Sequence, residues 1–518
     1  MTRFDRLALT ASVAVAALLR IPGLDARGRF DADQGHDMLT LLTFTRDGVV
    51  PLLGPRTSVG EFHHGALYYF LLAPSAAISN ADPVAVTAFL ALLGIATVAL
   101  TWWLGRAIGG SLAGAIAGLL LAVSPAAIEE STFIWNPNPI GFFAILALVA
   151  AWRARSGGHG AWWAFALAAA GAVVQLHVLG IVFFVAILAL VLLELRRDRA
   201  VAAPLLGGLV VVALLFVPLL AHELQSDFSE TKAVLDYLRG GDEPLAANPL
   251  VAILFTMLRV VGWPFVGLVT DVPVAAAVFL TVTLGCAVLA LRLVQPPRVS
   301  AIRWLLAILA WSTLALAFAA PSLQRVVPGL PNDHYHAFLD PVVVLLVAIP
   351  LGILFGRSIA AWRSSRQPVS AVGAGAAALA VVLIFTMSLL RNPPHLDPDG
   401  GWPAMRDAGE RVVATASGRM IYLFGVPEFK LSDAIGFPIV RAGGRLAGPL
   451  AFDLIPAIPE GVVVIACDRL FETAIGAPCG GPAEDAYLRG VGDGIWASTP
   501  LLERFPASRR TWISVYSP

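Results

Sequence analysis

Lysine is nearly missing from this sequence, and charge of either sign is scarce. Of 35 basic residues only Lys232 and Lys430 are lysines, and Asp, Glu, Lys and Arg together make up 14% of the chain. Ordinary soluble domains carry about 25%, so the shortage excludes one. The arginines sit among abundant Ala, Gly and Val, a bias expected of a GC-rich bacterial genome. Acids and bases balance at 35 each, which removes the net positive field that a nucleic-acid partner would need. Cysteine is scarce too. Cys286 lies in an apolar run, while Cys467 and Cys479 stand close together late in the chain. No metal-ligand spacing connects them. The late pair suits a disulfide if that region faces an oxidising compartment, and two free thiols otherwise.

Apolar residues are what the chain has in excess: 58% of its positions, with a mean hydropathy of +0.79. A bilayer offers backbone groups no water, so only internally bonded helices or closed barrels cross it. The apolar runs have helical length, which excludes a barrel. Eleven fall at 5–24, 83–105, 109–126, 139–152, 161–176, 178–195, 203–221, 272–294, 303–320, 337–356 and 371–390. Met1 to Arg6 and the run behind them resemble a signal peptide, but no small-x-small cleavage site follows, so a retained first helix is expected.

Residues 66–79 (ALYYFLLAPSAAIS) are apolar but short and contain Pro74, which predicts an interfacial or re-entrant helix. With that segment not spanning, one set of loops holds Arg3, Arg6, Arg106, Arg153, Arg155, Arg196, Arg197, Arg199, Arg292, Arg298, Arg303, Arg357, Arg363 and Arg366 against Asp5, Glu194 and Asp198. In the opposite loops acids outnumber bases about two to one. The positive-inside rule then puts the N-terminus in the cytoplasm and the C-terminus outside a plasma (inner) membrane. The same parity makes Leu250–Val269, interrupted by Arg259 and Pro264, a membrane-lying or re-entrant segment, a gate over a lipid ligand. After Leu390 the composition turns polar. Helical pattern at 402–415 and 483–490 and strand pattern at 419–424, 461–467 and 511–516 predict a small α/β domain over 391–518, outside the membrane. The expected fold class is therefore a polytopic α-helical membrane module, 1–390, with an extracytoplasmic α/β domain.

The chemistry-bearing residues gather in the first outer loop, 25–82. Asp31, Asp33, His36 and Asp37 follow the first helix in FDADQGHD, and Arg56, Glu61, His63, His64 and Tyr68 come later. Carboxylates at a membrane surface can take a proton from a hydroxyl, hold a cation, or cap a helix. On residues alone, capping is the plainer reading. Other outer positions add Glu129, Glu130, Trp135 and Asn136, then Gln175 and His177, then Arg325 and the run Asp333-His334-Tyr335-His336. All the histidines except His159 map to this side. Mixed His and Asp can hold a divalent cation, yet nothing defines a cofactor.

FDADQGHD, PLLGP, HHGALYYFLLAP, WLGRAIGG, SPAAIEES and QLHVLG occur in that order. In these motifs the chain resembles the GT-C glycosyltransferases, in particular bacterial relatives of the protein O-mannosyltransferases and of the aminoarabinose transferase that modifies lipid A. The resemblance runs over residues 1–390. It implies inverting transfer of a sugar from a polyprenyl-phosphate donor to a cell-envelope glycan, lipid or protein. It also implies a base at Asp33, with Asp31 as rival. Gln34 stands where many relatives have Glu, leaving the second carboxylate open between Asp31 and Asp37. His36, Asp37, Glu61, Tyr68, Gln175, His177, His334, Tyr335 and His336 become candidate substrate contacts, and Arg56, His63, His64 and Arg325 candidate partners of the donor phosphate. The alternative is a transporter or flippase of envelope lipids. That activity wants polar or helix-breaking residues at mid-bilayer, and the span centres are almost wholly apolar.

Overall fold

The computed structural model describes residues 1–57, 60–240, 248–268, 272–324, 333–363, 369–390, 396–427, 432–447, 461–490 and 498–517. The first helix, Arg3–Arg20, opens with a capping box in which Thr2 and Asp5 each accept the other's backbone N–H. The buried Asp5 carboxylate also receives Arg106 at 2.9 Å, pinning this end to the helix Pro83–Gly109. At the other end Arg20 is fully buried. It donates to the carbonyls of Ala122 (2.8 Å) and Leu121 (3.3 Å) and to Ser131 Oγ (3.3 Å). The helix Ser111–Ala122 finishes there, and the last carbonyls of a helix lack internal partners and carry partial negative charge. A buried guanidinium supplies both needs.

Each of the eleven apolar segments falls on a helix. Among the described residues, six helices are long and apolar enough to cross a membrane, or seven if Arg199–Leu215 and Val217–Gln225, bent by 45°, form one span. Pro249–Val266, expected to lie along or re-enter the membrane, is one of the six. It packs against Pro273–Leu293 and Val299–Ala319. Leu67–Ser79 has 13 residues, a length of about 20 Å at 1.5 Å per residue, against a hydrocarbon core of about 30 Å.

The C-terminal region folds around a sheet with five strands among the described residues: β1 (Met420–Val426), β2 (Arg445–Leu446), β3 (Gly461–Asp468), β4 (Leu501–Pro506) and β5 (Thr511–Tyr516), in the order β2-β1-β3-β5-β4. β1 runs parallel to β2 and β3, and β5 antiparallel to β3 and β4. Successive strand residues face opposite sides. Val462 and Val464 join the core that includes Trp402 and Phe437, while Val463, Ile465 and Cys467 pack with Leu488 and Tyr516. Cover on both faces explains why β3 reads as one apolar run. Cys467 and Cys479 are disulfide-bonded. The helix Asp433–Arg441 and strands β2 and β4, absent from the sequence expectation, complete the unit.

This unit is clamped onto the loop that carries FDADQGHD. The helix Asp433–Arg441 lies against the helix Ala32–Asp47, so closely that a Cβ on Gly35 would fall 2.1 Å from the Asp433 carbonyl oxygen. Phe30 packs on Trp402 and Phe437 at ring separations of 4.9 and 6.0 Å. Arg441 donates to the carbonyls of Asn80 and Ala81, both at 2.7 Å, and reaches Asp82 at 3.1 Å. Gly35→Ala is therefore expected to destabilise the protein by roughly 1–3 kcal/mol through overpacking, read as a lower Tm in detergent. Gly285→Ala, where an added Cβ meets nothing within 4 Å, should leave Tm unchanged or raise it slightly.

Candidate active site

The loop motif sorts its own acids. Asp31 is the N-cap of Ala32–Asp47: its carboxylate accepts the Asp33 N–H at 3.2 Å, and the Gln34 side chain accepts the Asp31 N–H at 3.0 Å. Gln34 then donates its amide to the Ile134 carbonyl at 2.8 Å, a bond that a carboxylate could not make. His36 holds Asp433 at 2.9 Å, a bond that raises its pKa above the usual imidazole value. Asp37, 2% exposed, accepts hydrogen bonds from Tyr68 (2.9 Å) and Tyr69 (2.8 Å). Burial pushes it up to about 7 against those bonds. Asp33 remains exposed at the first turn. Residues four apart on a helix share a face, so Asp33 lies one turn above Asp37, on the side where Tyr68 and Tyr69 begin the helix Leu67–Ser79.

Residues 54–57 pair antiparallel with residues 62–64. Gly54 N–H donates to the His64 carbonyl (3.0 Å), His64 N–H to that of Pro55 (2.9 Å), and Thr57 N–H to that of Phe62 (2.9 Å). Arg56 pairs with Glu61 at its exposed face. Alternation along an extended chain turns His63 and His64 to opposite sides. His63 binds Glu230 through its ring (2.9 Å) and its backbone N–H (2.7 Å). His64 is buried and lies 4.7 Å from the ring of His177.

His177 in turn meets Tyr335 at 4.8 Å and His334 at 5.5 Å, and Trp135 covers His334 at 4.3 Å. Gly65 donates to the Gln175 carbonyl at 2.9 Å, and Asn136 to that of Leu176 at 2.7 Å. The Gln175 amide is buried with no hydrogen-bond partner on either atom. A Cβ on Gly65 would fall 2.0 Å from its oxygen. Four separate stretches of chain thus converge on His64, Gln175, His177, His334 and Tyr335.

The protons on two of these imidazoles are set by the backbone. His64 Nδ1 accepts from Val178 N–H and His177 Nδ1 from Leu179 N–H, both at 3.3 Å. A nitrogen that accepts carries no proton, so each neutral ring is an Nε2–H donor. Burial, then the neighbouring His177 and His63, hold His64 well below the usual imidazole range.

His336 belongs to a different group. Residues three apart eclipse on a 3-10 helix, and Asp333–Leu339 is one. Asp333 and His336 therefore turn the same way, 3.1 Å apart, toward Arg259. Arg259 forks onto both Asp333 carboxylate oxygens at 2.9 and 2.6 Å and donates to the Leu323 carbonyl at 2.7 Å. Nearby Trp263 donates to Glu130 at 3.1 Å. Sequence reading passed over the partners Glu230 and Asp433, and named Asp333 without its pairing to Arg259. Arg259 did carry a signal, as a lone charge in an apolar helix. Arg325 lies outside the described residues. Among those described, no group of three or more His, Cys, Asp or Glu is placed to hold a metal ion.

With this geometry in view, the relatives can be named. Residues 63–222 match the family model described as dolichyl-phosphate-mannose-protein mannosyltransferase, a stretch that starts at His63 and takes in His64, Gln175 and His177. No curated protein matches the sequence. ArnT from Cupriavidus metallidurans bound to undecaprenyl phosphate superposes with a TM-score of 0.60 at 14% identity, over 98% of this chain and 97% of that one. Its apo form gives 0.59, likewise at 14% and over the same shares. The Archaeoglobus fulgidus oligosaccharyltransferase, in complex with Zn and sulfate, gives 0.50 at 13% identity over 98% of this chain and 72% of that one. The fold is that of the GT-C membrane glycosyltransferases, as the sequence motifs implied.

Asp37 yields a prediction about stability. Its carboxyl rises from the ordinary 3.8 to about 7 on folding, so between those values the folded chain keeps a proton that the unfolded chain has lost. Stability from this group is full below about pH 4 and is lost as pH climbs to about 7, by on the order of 4 kcal/mol. Asp37→Asn, which cannot ionise, should gain Tm relative to the parent between pH 5 and pH 8. A Tm difference that does not change with pH would remove the buried-proton assignment.

Proposed function

We propose that the protein transfers a sugar from a polyprenyl-phosphate donor to a hydroxyl of a cell-envelope acceptor, on the extracytoplasmic side, with Asp33 as general base. The observation that carries the reading is the division of labour in the first outer loop. Asp31 caps, Asp37 is buried under two tyrosines, and Asp33 is exposed one turn from Asp37 on the same helix face. A carboxylate in that position can take the proton of an attacking hydroxyl. The lipid phosphate is the leaving group and needs donors aimed at its oxygens. The Nε2–H groups of His64 and His177 supply them in a buried setting, where hydrogen bonds to an anion are strongest. The undecaprenyl phosphate held by a protein of this fold supports the donor class. The arginine-rich loops of the opposite side support the assignment of faces.

The test uses a radiolabelled polyprenyl-phosphate sugar with the full-length chain in detergent or vesicles. Asp33→Asn should cut transfer by about 10²–10⁴-fold, the span of a lost general base, while expression and Tm hold. Normal turnover in Asp33→Asn moves the base to Asp31, and normal turnover in both Asp33→Asn and Asp31→Asn overturns the mechanism. His64→Phe keeps a ring against His177 but deletes its N–H. It should raise the KM for the donor about 10-fold or more, and an unchanged KM would take the phosphate away from the histidine cluster.

A further inference from the structure

The C-terminal sheet has a ligand-binding geometry of its own. After β1 the chain crosses through the helix Asp433–Arg441 to β2 on one side, while β3 lies on the other side of β1. Between the carboxyl ends of two such parallel strands is the topological switch point, the place where open α/β sheets hold ligands. A cavity of about 260 Å³ occupies it, bounded by the ends of β1 and β3, the start of β5, and residues 29–32 of the first outer loop. It is slightly smaller than the ~300–1,000 Å³ pockets that take drug-sized molecules, a size suited to one sugar ring with bridging water.

The lining selects by charge. Asp31, Asp397, Asp399 and Asp468 face it together with Arg29 and Arg510. Both guanidiniums are engaged. Arg510 is bound by Asp468 through two bonds of 3.0 Å, and Arg29 lies over the Phe133 ring at 5.5 Å and within 4.0 Å of Glu129. With four carboxylates against two guanidiniums the lining is acidic on balance, which suits hydroxyl donors and disfavours phosphate. Asp31 caps its helix, Asp397 accepts the Asp399 N–H at 3.1 Å, and Asp468 holds Arg510. Among the described residues, Asp399 has no side-chain hydrogen bond of that kind.

We infer that this cavity is a binding subsite for a neutral, hydroxyl-bearing glycosyl unit of the acceptor. The inference builds on the transferase reading: Asp31 lines the cavity and accepts the backbone N–H of Asp33, so the cavity opens on the same helix N-terminus that carries the proposed base. The subsite selects against phosphorylated sugars and so assigns the acceptor to glycans whose reacting end is uncharged.

Binding can be measured without catalysis. Saturation-transfer NMR on the full chain, with no donor present, would compare methyl α-mannoside, methyl β-galactoside and methyl α-arabinofuranoside with glucose 6-phosphate. At least one neutral glycoside should bind at millimolar concentration and the phosphate ester should not. Asp399→Asn and Asp399→Ala should each weaken that binding about 10-fold or more, as loss of hydrogen bonds to a charged group does, with Tm unchanged. The inference is overturned if no neutral glycoside binds, if both Asp399 variants bind as the parent does, or if glucose 6-phosphate binds equally well. Failure of the two readings is distinguishable. Transfer activity without glycoside binding removes only the subsite, and glycoside binding with a fully active Asp33→Asn, Asp31→Asn pair removes only the mechanism.

Discussion

The polar end of the molecule depends on how one 16-residue helix, Ala32–Asp47, is held. Successive helix residues point about 100° apart, and four in a row use that rotation to reach three neighbouring stretches. Gln34 bonds Ile134, Gly35 admits the Asp433 carbonyl, His36 takes the Asp433 side chain, and Asp37 receives Tyr68 and Tyr69. With most of its circumference anchored in this way, the first turn cannot rotate. The direction of Asp33 is thereby set by the packing of the residues that follow it. Holding a reacting group in one orientation spares entropy that would otherwise be lost on reaching the transition state.

Much of the fold was legible because it is local. Hydropathy marks the helices, and short runs rich in apolar, β-branched and aromatic residues mark β1, β3 and β5. β4 was missed because it is an edge strand with much of its length exposed, and LLERFP shows no clean alternation. The helix Asp433–Arg441 carries Pro438 in its interior, which reads as a break. The parity of the charged loops argues that Pro249–Val266 lies along the membrane or re-enters it, and by length and apolarity alone it is also long enough to cross. Its Arg259 is accommodated because Asp333 and the Leu323 carbonyl satisfy the guanidinium.

The site was legible as a list of residues and not as an arrangement. Asp31 and Asp33 are two positions apart and chemically identical, and only the backbone at the helix start makes one a cap and leaves the other exposed. His334 and His336 are also two apart, yet the 3-10 turn sends them to different partners. Pairings such as His36 with Asp433 join residues 397 positions apart, and no single-sequence pattern predicts such a meeting. Gln34, which looked like the loss of a carboxylate, makes an amide-to-carbonyl bond that an acid could not make.

The clamp between the two parts of the chain also bears on engineering. The elements that would choose the acceptor lie on the sheet, the elements that would perform the chemistry lie on the loop, and the seam between them combines backbone carbonyls with a few side-chain pairs. Arg441 reads the Asn80 and Ala81 carbonyls, Gly35 lies against that of Asp433, His36 holds the Asp433 carboxylate, and Phe30 packs on Trp402 and Phe437. A sheet unit grafted onto this membrane module would therefore have to bring aspartate at 433, arginine at 441 and aromatic residues at 402 and 437, and to leave glycine at 35 undisturbed.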